Sequence, residues 1–250
     1  MNEFPESLLL PGERIDDLQF SGLRIIQSPD SFRFGLDSVL LADFARVRSG
    51  MRICDLGTGT GILPLLLFGR AERLTCDAVE IQPASAERAA RSMRLNGLEE
   101  KITIHCQDLK NVKQFLPHGQ YDLVICNPPY TPEESALLSP NPALRTARQE
   151  TECTLSDIAA AAAFLLRNRC RFVLMLPASR LSEAFDTLRN YRLEPKRLRL
   201  VHANEKRPAR LALIEAMLDV RSGMIIEPPL IVKTEKGEDT EEIKRIYHQL

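Results

Sequence analysis

No stretch of this sequence runs apolar for the roughly 18 residues that a membrane-spanning helix needs. Met1–Pro11 lacks a basic segment followed by an apolar one, so neither a membrane span nor a secretory signal is expected, and the chain is placed in the cytoplasm. None of the six cysteines (Cys54, Cys76, Cys106, Cys126, Cys153, Cys170) falls in a Cys-x-x-Cys pair. The first four lie in predicted strands, which reads as small buried hydrophobes in a reducing compartment rather than disulfides or metal ligands. His105, His118, His202 and His248 are scattered without ligand spacing, so no metal is expected. Internal repeats are absent, and the one biased tract, Ala159–Ala163, reads as helix.

What is present is ordinary in bulk: 250 residues, 44% hydrophobic and 27% charged, enough for one sizeable core. The net charge of −1 does not by itself indicate a nucleic-acid binder. Its distribution says more, because Arg167–Arg210 holds twelve Lys/Arg against four Asp/Glu. Such a basic run suits phosphate contacts, and equally a solvated helical face.

Tyr121–Cys126 is a nearly continuous apolar run, the pattern of a strand buried on both faces, and it stops at Asn127-Pro128-Pro129-Tyr130. Two prolines cannot continue a hydrogen-bonded ladder, so the chain leaves the sheet there in a stiff turn. In a parallel sheet, ligands bind at the carboxyl ends of strands. An exocyclic amine on a planar ring is a poor nucleophile because its lone pair is delocalised. The Asn127 carboxamide oxygen and the Pro128 carbonyl, aimed at its two N–H bonds, would favour a pyramidal nitrogen and point the lone pair at an electrophile. Tyr130 would stack on the ring. Asn127, Pro128, Pro129 and Tyr130 are the candidate catalytic residues; the plainer alternative is a tight loop.

A second strand-to-helix turn, Asp55-Leu56-Gly57-Thr58-Gly59-Thr60-Gly61, lets a ligand approach the backbone closely. Ile62 stands where a dinucleotide fingerprint needs glycine, and no lysine is present for a phosphate loop. The acidic-x-Gly-x-Gly-x-Gly spacing is that of S-adenosylmethionine sites, whose ligand carries no pyrophosphate for Asp55 to repel. Glu80, ending the next predicted strand, suits two ribose hydroxyls, and Asp108, ending the one after, an adenine amino group. Phe34, Gly35, Asp37, Thr58, Ile81, Leu109 and Asn127 complete the expected cofactor contacts.

Residues 1–20 read as an irregular arm and Leu23–Gln27 as one strand of a small hairpin. A helix follows, capped by Asp37 or Ser38. Strands at Met51–Leu56, Leu74–Ile81, Lys101–Gln107, Tyr121–Cys126 and Arg171–Leu176 alternate with helices from Ile62, over Ala84–Leu95 and over Leu155–Leu166. After a helix at Ser179–Asn190 capped by Ser179, strands come in succession at Leu193–His202 and Leu211–Val220. An extended tail (Met224–Lys233) and a helix (Thr240–Leu250) close the chain. The expected units are an arm or hairpin over 1–30, a main domain over 31–234 and a C-terminal helix packed on it over 235–250. Residues 131–152 lack periodicity and read as a substrate-side loop, in which Arg145 and Arg148, with Lys206, Arg207 and Arg210 further on, are candidate substrate contacts.

This order resembles the α/β, Rossmann-like fold of class I methyltransferases: a seven-stranded, mostly parallel sheet with helices on both faces and an antiparallel last strand. Asp55–Gly61 matches the family's first motif, Glu80 its ribose-binding acid, Asp108 its adenine contact, and Asn127–Tyr130 the Asn-Pro-Pro-Tyr of amino-group methyltransferases. Within that set, Phe34–Ala45 and Glu13–Gln27 resemble the bacterial tRNA(Val) adenine-N6 methyltransferases, although Ala147-Arg148-Gln149-Glu150 lacks the histidine those enzymes carry after the motif. The resemblance implies transfer of a methyl group from S-adenosylmethionine to adenine N6 in tRNA beside the anticodon, leaving S-adenosylhomocysteine. The alternatives are methylation of rRNA or of a release-factor glutamine, and a non-catalytic RNA-binding module. The residues before Ser31 are too few for the separate helical domain of the release-factor enzymes.

Overall fold

The computed structural model describes residues 8–28, 35–128 and 153–247. β1 (Arg14–Asp17) and β2 (Arg24–Gln27) pair as an antiparallel hairpin, so part of the expected irregular arm is a strand. α1 (Leu36–Phe44) follows, then β3 (Arg52–Leu56), α2 (Ile62–Phe68), β4 (Thr75–Glu80), α3 (Pro83–Leu95) and β5 (Ile102–Cys106). After a short 3-10 helix (Leu109–Gln114) come β6 (Tyr121–Cys126), α4 (Leu155–Leu165) and β7 (Leu166–Pro177). α5 (Leu181–Asn190), β8 (Leu193–His202) and β9 (Ala209–Leu218) precede β10 (Ile225–Ile226), β11 (Leu230–Ile231) and α6 (Glu241–Ile246).

Among the described residues the main sheet has nine strands, ordered β10-β8-β9-β7-β6-β3-β4-β5, with β11 also on β8. Seven are the expected ones. β9 runs antiparallel to both β7 and β8, while β3–β7 are mutually parallel. The tail supplies the two extra strands, each of two residues along β8.

Residues alternate between the two faces. Ile53, Leu123 and Ile125 join the core under α1, α2, α3 and α6, whereas Cys54, Val124 and Cys126 join the core under α4 and α5. Both clusters are buried, which is why the central strands read as continuous apolar runs. The Tyr121 hydroxyl, at the start of β6, donates to Asp77 Oδ2 in the middle of β4 at 2.7 Å, and His105 Nε2, on β5, lies 2.8 Å from Asp77 Oδ1. Those contacts tie β4, β5 and β6 together.

The helix ends follow local chemistry, with exceptions. Pro83 is the first residue of α3, and Gly97 beyond its end takes φ 64°, the left-handed stop the sequence predicts. Thr154 and Asp157 form a reciprocal capping box at α4. Thr240 caps α6, which therefore starts one residue later than expected. Neither Asp37 nor Ser38 caps α1: Gly35 holds the cap position without a side-chain bond, Asp37 sits in the first turn and Ser38 is buried. Ser179 caps nothing either, because Ala178–Arg180 forms a 3-10 turn that carries the chain into α5.

The hairpin is fastened to α3 by side chains rather than by the sheet. Arg24 N–H donates to Asn96 Oδ1 at 2.9 Å and Ile26 N–H to Ser92 Oγ at 3.0 Å. Glu13, whose side chain is 4% exposed, pairs with Arg88 and with the equally buried Arg91. Ile25 and Ile26 are fully buried beneath it.

Candidate active site

Strand order reverses between β3 and β6. From β3 the chain builds outward through β4 to β5, and from β6 it builds the other way through β7. At such a point the loops above the two strands diverge and leave a crevice. β3 and β6 are hydrogen-bonded neighbours, with Leu56 opposite Cys126 and Asp55 opposite Ile125. The glycine turn and Asn127-Pro128 therefore leave adjacent strand tips on one edge, about 4.8 Å apart at the strand level.

The turn is held open from beneath. Gly57 and Thr58 N–H both donate to the Val79 carbonyl, at 2.9 and 3.0 Å, and Gly59 N–H donates to Glu80 Oε2 at 2.8 Å. Above Gly57 (φ 76°) and Gly59 (φ 59°) an added Cβ would meet nothing within 4 Å, so ligand space lies there. Gly61 differs: at φ 85° it starts α2, and a Cβ would stand 2.6 Å from Met93 Cε and 3.3 Å from Ala89 Cβ. It is the position where α2 presses on α3. Gly61→Ala is expected to lower stability by about 1–3 kcal/mol from overpacking and left-handed strain, read as a melting shift of several degrees with the secondary structure retained.

Asp55 is fully buried, and neither carboxylate oxygen has a hydrogen-bond partner among the described residues; the buried Thr58 hydroxyl is also unpartnered. Burial lifts the Asp55 carboxyl to about 7, with nearby Thr58 tempering the rise without completing a hydrogen bond and Glu80 adding to it. Such orphaned polar atoms under an open glycine turn fit a polar ligand.

Glu80 departs from the simple expectation. It is 7% exposed, and its two oxygens already accept backbone N–H bonds, Oε2 from Gly59 and Oε1 from Gln82 at 2.8 Å. A carboxylate oxygen accepts more than one bond, so capacity for hydroxyls remains. Its first work is to tie the turn to β4, through backbone donors that leave no side-chain signal in a sequence. Ile81, next to it, is 42% exposed, an apolar surface at the mouth. Asp108, at the tip of β5, caps the 3-10 helix through Lys110 N–H at 2.9 Å and lies 3.5 Å from Lys110 Nζ, while Leu109 packs partly into the core. Gly35 and Asp37 stand at the start of α1, where burial raises the Asp37 carboxyl and the Arg210 charge opposes that rise. Asn127 and Pro128 are half-buried. Phe34, Pro129, Tyr130, Arg145 and Arg148 lie outside the described residues.

The basic run proves mostly self-neutralised. Eight of its twelve cations pair with carboxylates, several from outside the run: Arg171 and Arg197 with Glu215, Arg192 with Asp219, Arg199 with Glu242 and Arg167 with Asp122. Sequence counting misses this because the partners are distant in the chain. Lys206, Arg207 and Arg210 are exposed in or beside the β8–β9 loop, Lys206 in a solvated pair with Glu235. Because β9 is antiparallel, that loop lies on the same edge as Asn127, with β7 between, roughly 10 Å away at the strand level. Cys106 also departs from expectation, being exposed rather than a buried hydrophobe.

Residues 33–139 match the family model of the methyltransferase small domain. The match covers less than half of the chain. Its fold is that of the class I methyltransferases: the chain superposes on an Agrobacterium tumefaciens protein described as a predicted O-methyltransferase with a TM-score of 0.70 at 20% identity, over 85% of this chain and 95% of that one. The chain aligns with the tRNA1(Val) (adenine(37)-N6)-methyltransferase of Serratia proteamaculans at 34% identity, over 63% of this chain and 59% of the relative. The Tolumonas auensis protein of the same name matches at 34% identity, over 63% and 65%. The chain thus spans less than two thirds of the length of these curated relatives. Among the described residues no helix is long and apolar enough to cross a membrane, and no group of three or more His, Cys, Asp and Glu is placed to hold a metal ion.

Proposed function

We propose that this protein is a cytoplasmic enzyme that moves a methyl group from S-adenosylmethionine to the N6 amine of an adenine in tRNA, beside the anticodon of a valine tRNA. The observation that carries the reading is the register of β3 against β6, which sets the glycine turn and Asn127-Pro128 on neighbouring tips of one crevice. The shared name of the relatives supports the substrate. Residues 31–234 form the transferase unit, to which the hairpin and α6 are packed.

The bound cofactor supplies a methyl group on a sulfonium, already an electrophile. The chain supplies placement. Asp55 and Thr58 satisfy the polar end of the ligand, Glu80 the ribose hydroxyls, Ile81 and Leu109 the faces of the adenine, and Asp108 its amino group; Phe34, Gly35, Asp37 and Gly57–Gly61 close around it. Asn127 and the Pro128 carbonyl accept from the two N–H bonds of the target amine and hold its lone pair in line, with Pro129 stiffening the turn and Tyr130 stacked on the base. No strong base is needed, because the proton leaves after the nitrogen becomes cationic. An anticodon-loop base is already partly unstacked, which lowers the cost of flipping it. Arg145, Arg148, Lys206, Arg207 and Arg210 contact the RNA backbone.

Labelled cofactor offered with separate tRNA, rRNA and release-factor pools tests the substrate. Label is expected in tRNA; label in protein contradicts the proposal. Glu80→Ala is expected to weaken S-adenosylhomocysteine binding by about 10–100-fold, since each hydrogen bond to a charged group contributes about 1.5–3 kcal/mol, and calorimetry reads it.

A further inference from the structure

Asp55 poses a problem that the transfer chemistry does not solve. Its carboxyl is fully buried at the tip of β3, both oxygens lack hydrogen-bond partners among the described residues, and so does the Thr58 hydroxyl. A lone carboxylate so placed is strongly disfavoured; it must meet a cation or take up a proton. Among the described residues, the groups acting on it offer no cation. Glu80 from β4 adds negative charge. The thiols of Cys54 on β3, Cys76 on β4 and Cys126 on β6 are kept neutral by burial.

Resting on the reading that the crevice takes an adenosyl amino acid, we propose that Asp55 carries a proton in the ligand-free protein and gives it up when the ligand's α-ammonium group arrives. The O–H bond of the acid breaks, its proton passes to the buffer, and the carboxylate remains paired with the ammonium; no electrons are exchanged. Asp55 thereby reads the amino-acid end of the ligand by charge, and binding is linked to pH. The carboxyl is raised to about 7, so its ionised fraction climbs from roughly a tenth at pH 6 to nine tenths at pH 8. Affinity for S-adenosylhomocysteine is expected to rise about tenfold over that interval. 5′-Methylthioadenosine, which has the nucleoside but no ammonium, is expected to bind with little change.

Isothermal calorimetry on the full chain at pH 7, in buffers of different ionisation enthalpy, tests this directly. S-adenosylhomocysteine is expected to release about half a proton per site, seen as an observed enthalpy that tracks the buffer, and methylthioadenosine close to none. Asp55→Asn is expected to bind S-adenosylhomocysteine with no buffer dependence; should that variant fail to fold, the two-ligand comparison on the native protein decides. Binding of S-adenosylhomocysteine with no proton release, or release of equal size with both ligands, overturns the proposal while leaving the methyltransferase reading intact. No binding at any pH from 6 to 8 overturns both.

Discussion

Asn127→Ala is expected to lower methyl transfer by about 10²–10³-fold while leaving S-adenosylhomocysteine affinity within a few-fold of the native value. The size follows from what preorganised hydrogen-bonding groups contribute: removing one from a reacting centre costs about 2.7–4 kcal/mol of barrier. Asn127 stands one residue past β6, half-buried, while Cys126 beneath it is 1% exposed and belongs to the core. Truncation at Asn127 therefore removes the acceptor without opening a core cavity. Initial rates with tRNA, paired with calorimetry of the product cofactor, separate the two effects. A variant within tenfold of the native rate removes Asn127 from the chemistry, and one that loses cofactor affinity in proportion makes it a binding residue only.

The second large effect concerns stability. Arg91→Ala is expected to destabilise the protein by about 3–5 kcal/mol, because removing one partner of a buried ion pair strands the other. Arg91 sits on α3 with its side chain 5% exposed. It binds both oxygens of Glu13, the Leu8 carbonyl at 2.6 Å, and Glu87 at 2.7 Å. Without it, Arg88 still donates to Glu13 at 2.8 Å, but the Leu8 carbonyl loses this donor and the hairpin loses its main fastening to α3. For a chain of this size, each kcal/mol shifts Tm by roughly 2–4 °C, so a fall of about 10 °C is expected.

That effect carries a pH signature. The Arg91 guanidinium, as the leading cause, holds the Glu13 carboxyl down at about 2, against an ordinary 4.5. A depressed carboxyl contributes stability that is complete above its unfolded value and is lost as pH falls towards the folded one. The Tm gap between native and Arg91→Ala protein is thus expected to be constant above about pH 5 and to narrow as pH falls from there towards 2. A gap independent of pH over that range would remove Glu13 from the account.

Much of this molecule was legible in its residues because the signals were local. The apolar run of β6 ended at two prolines, and the acidic glycine turn followed a strand and opened a helix. Pro83 and Gly97 bracketed α3. Alternation with helices pointed to a parallel β3–β7, while the strand order and the antiparallel β9 came with the resemblance to the class I methyltransferase fold. What escaped was set by distant partners. Nothing near Glu13 announces that Arg88 and Arg91 will bury it, and nothing in Arg167–Arg210 shows that Glu215, Asp219 and Glu242 will neutralise it. Glu80 was found for its charge, yet its bonds to Gly59 and Gln82 run to backbone groups that every residue possesses. Gly35 replaced Asp37 and Ser38 at the cap of α1 because Ser38 is drawn into the core, where it is 5% exposed.

The central claim is that the tips of β3 and β6 share one crevice. A crystal structure of the full chain with S-adenosylhomocysteine bound tests it most directly. The ligand is expected over Gly57 and Gly59, its amino-acid end at Asp55 and its ribose at Glu80, with the sulfur about 4–6 Å from Asn127 Oδ1, the span that a methyl and an amine nitrogen would fill. A ligand seated elsewhere on the sheet, or a sulfur separated from Asn127 by more than about twice that span, would contradict it.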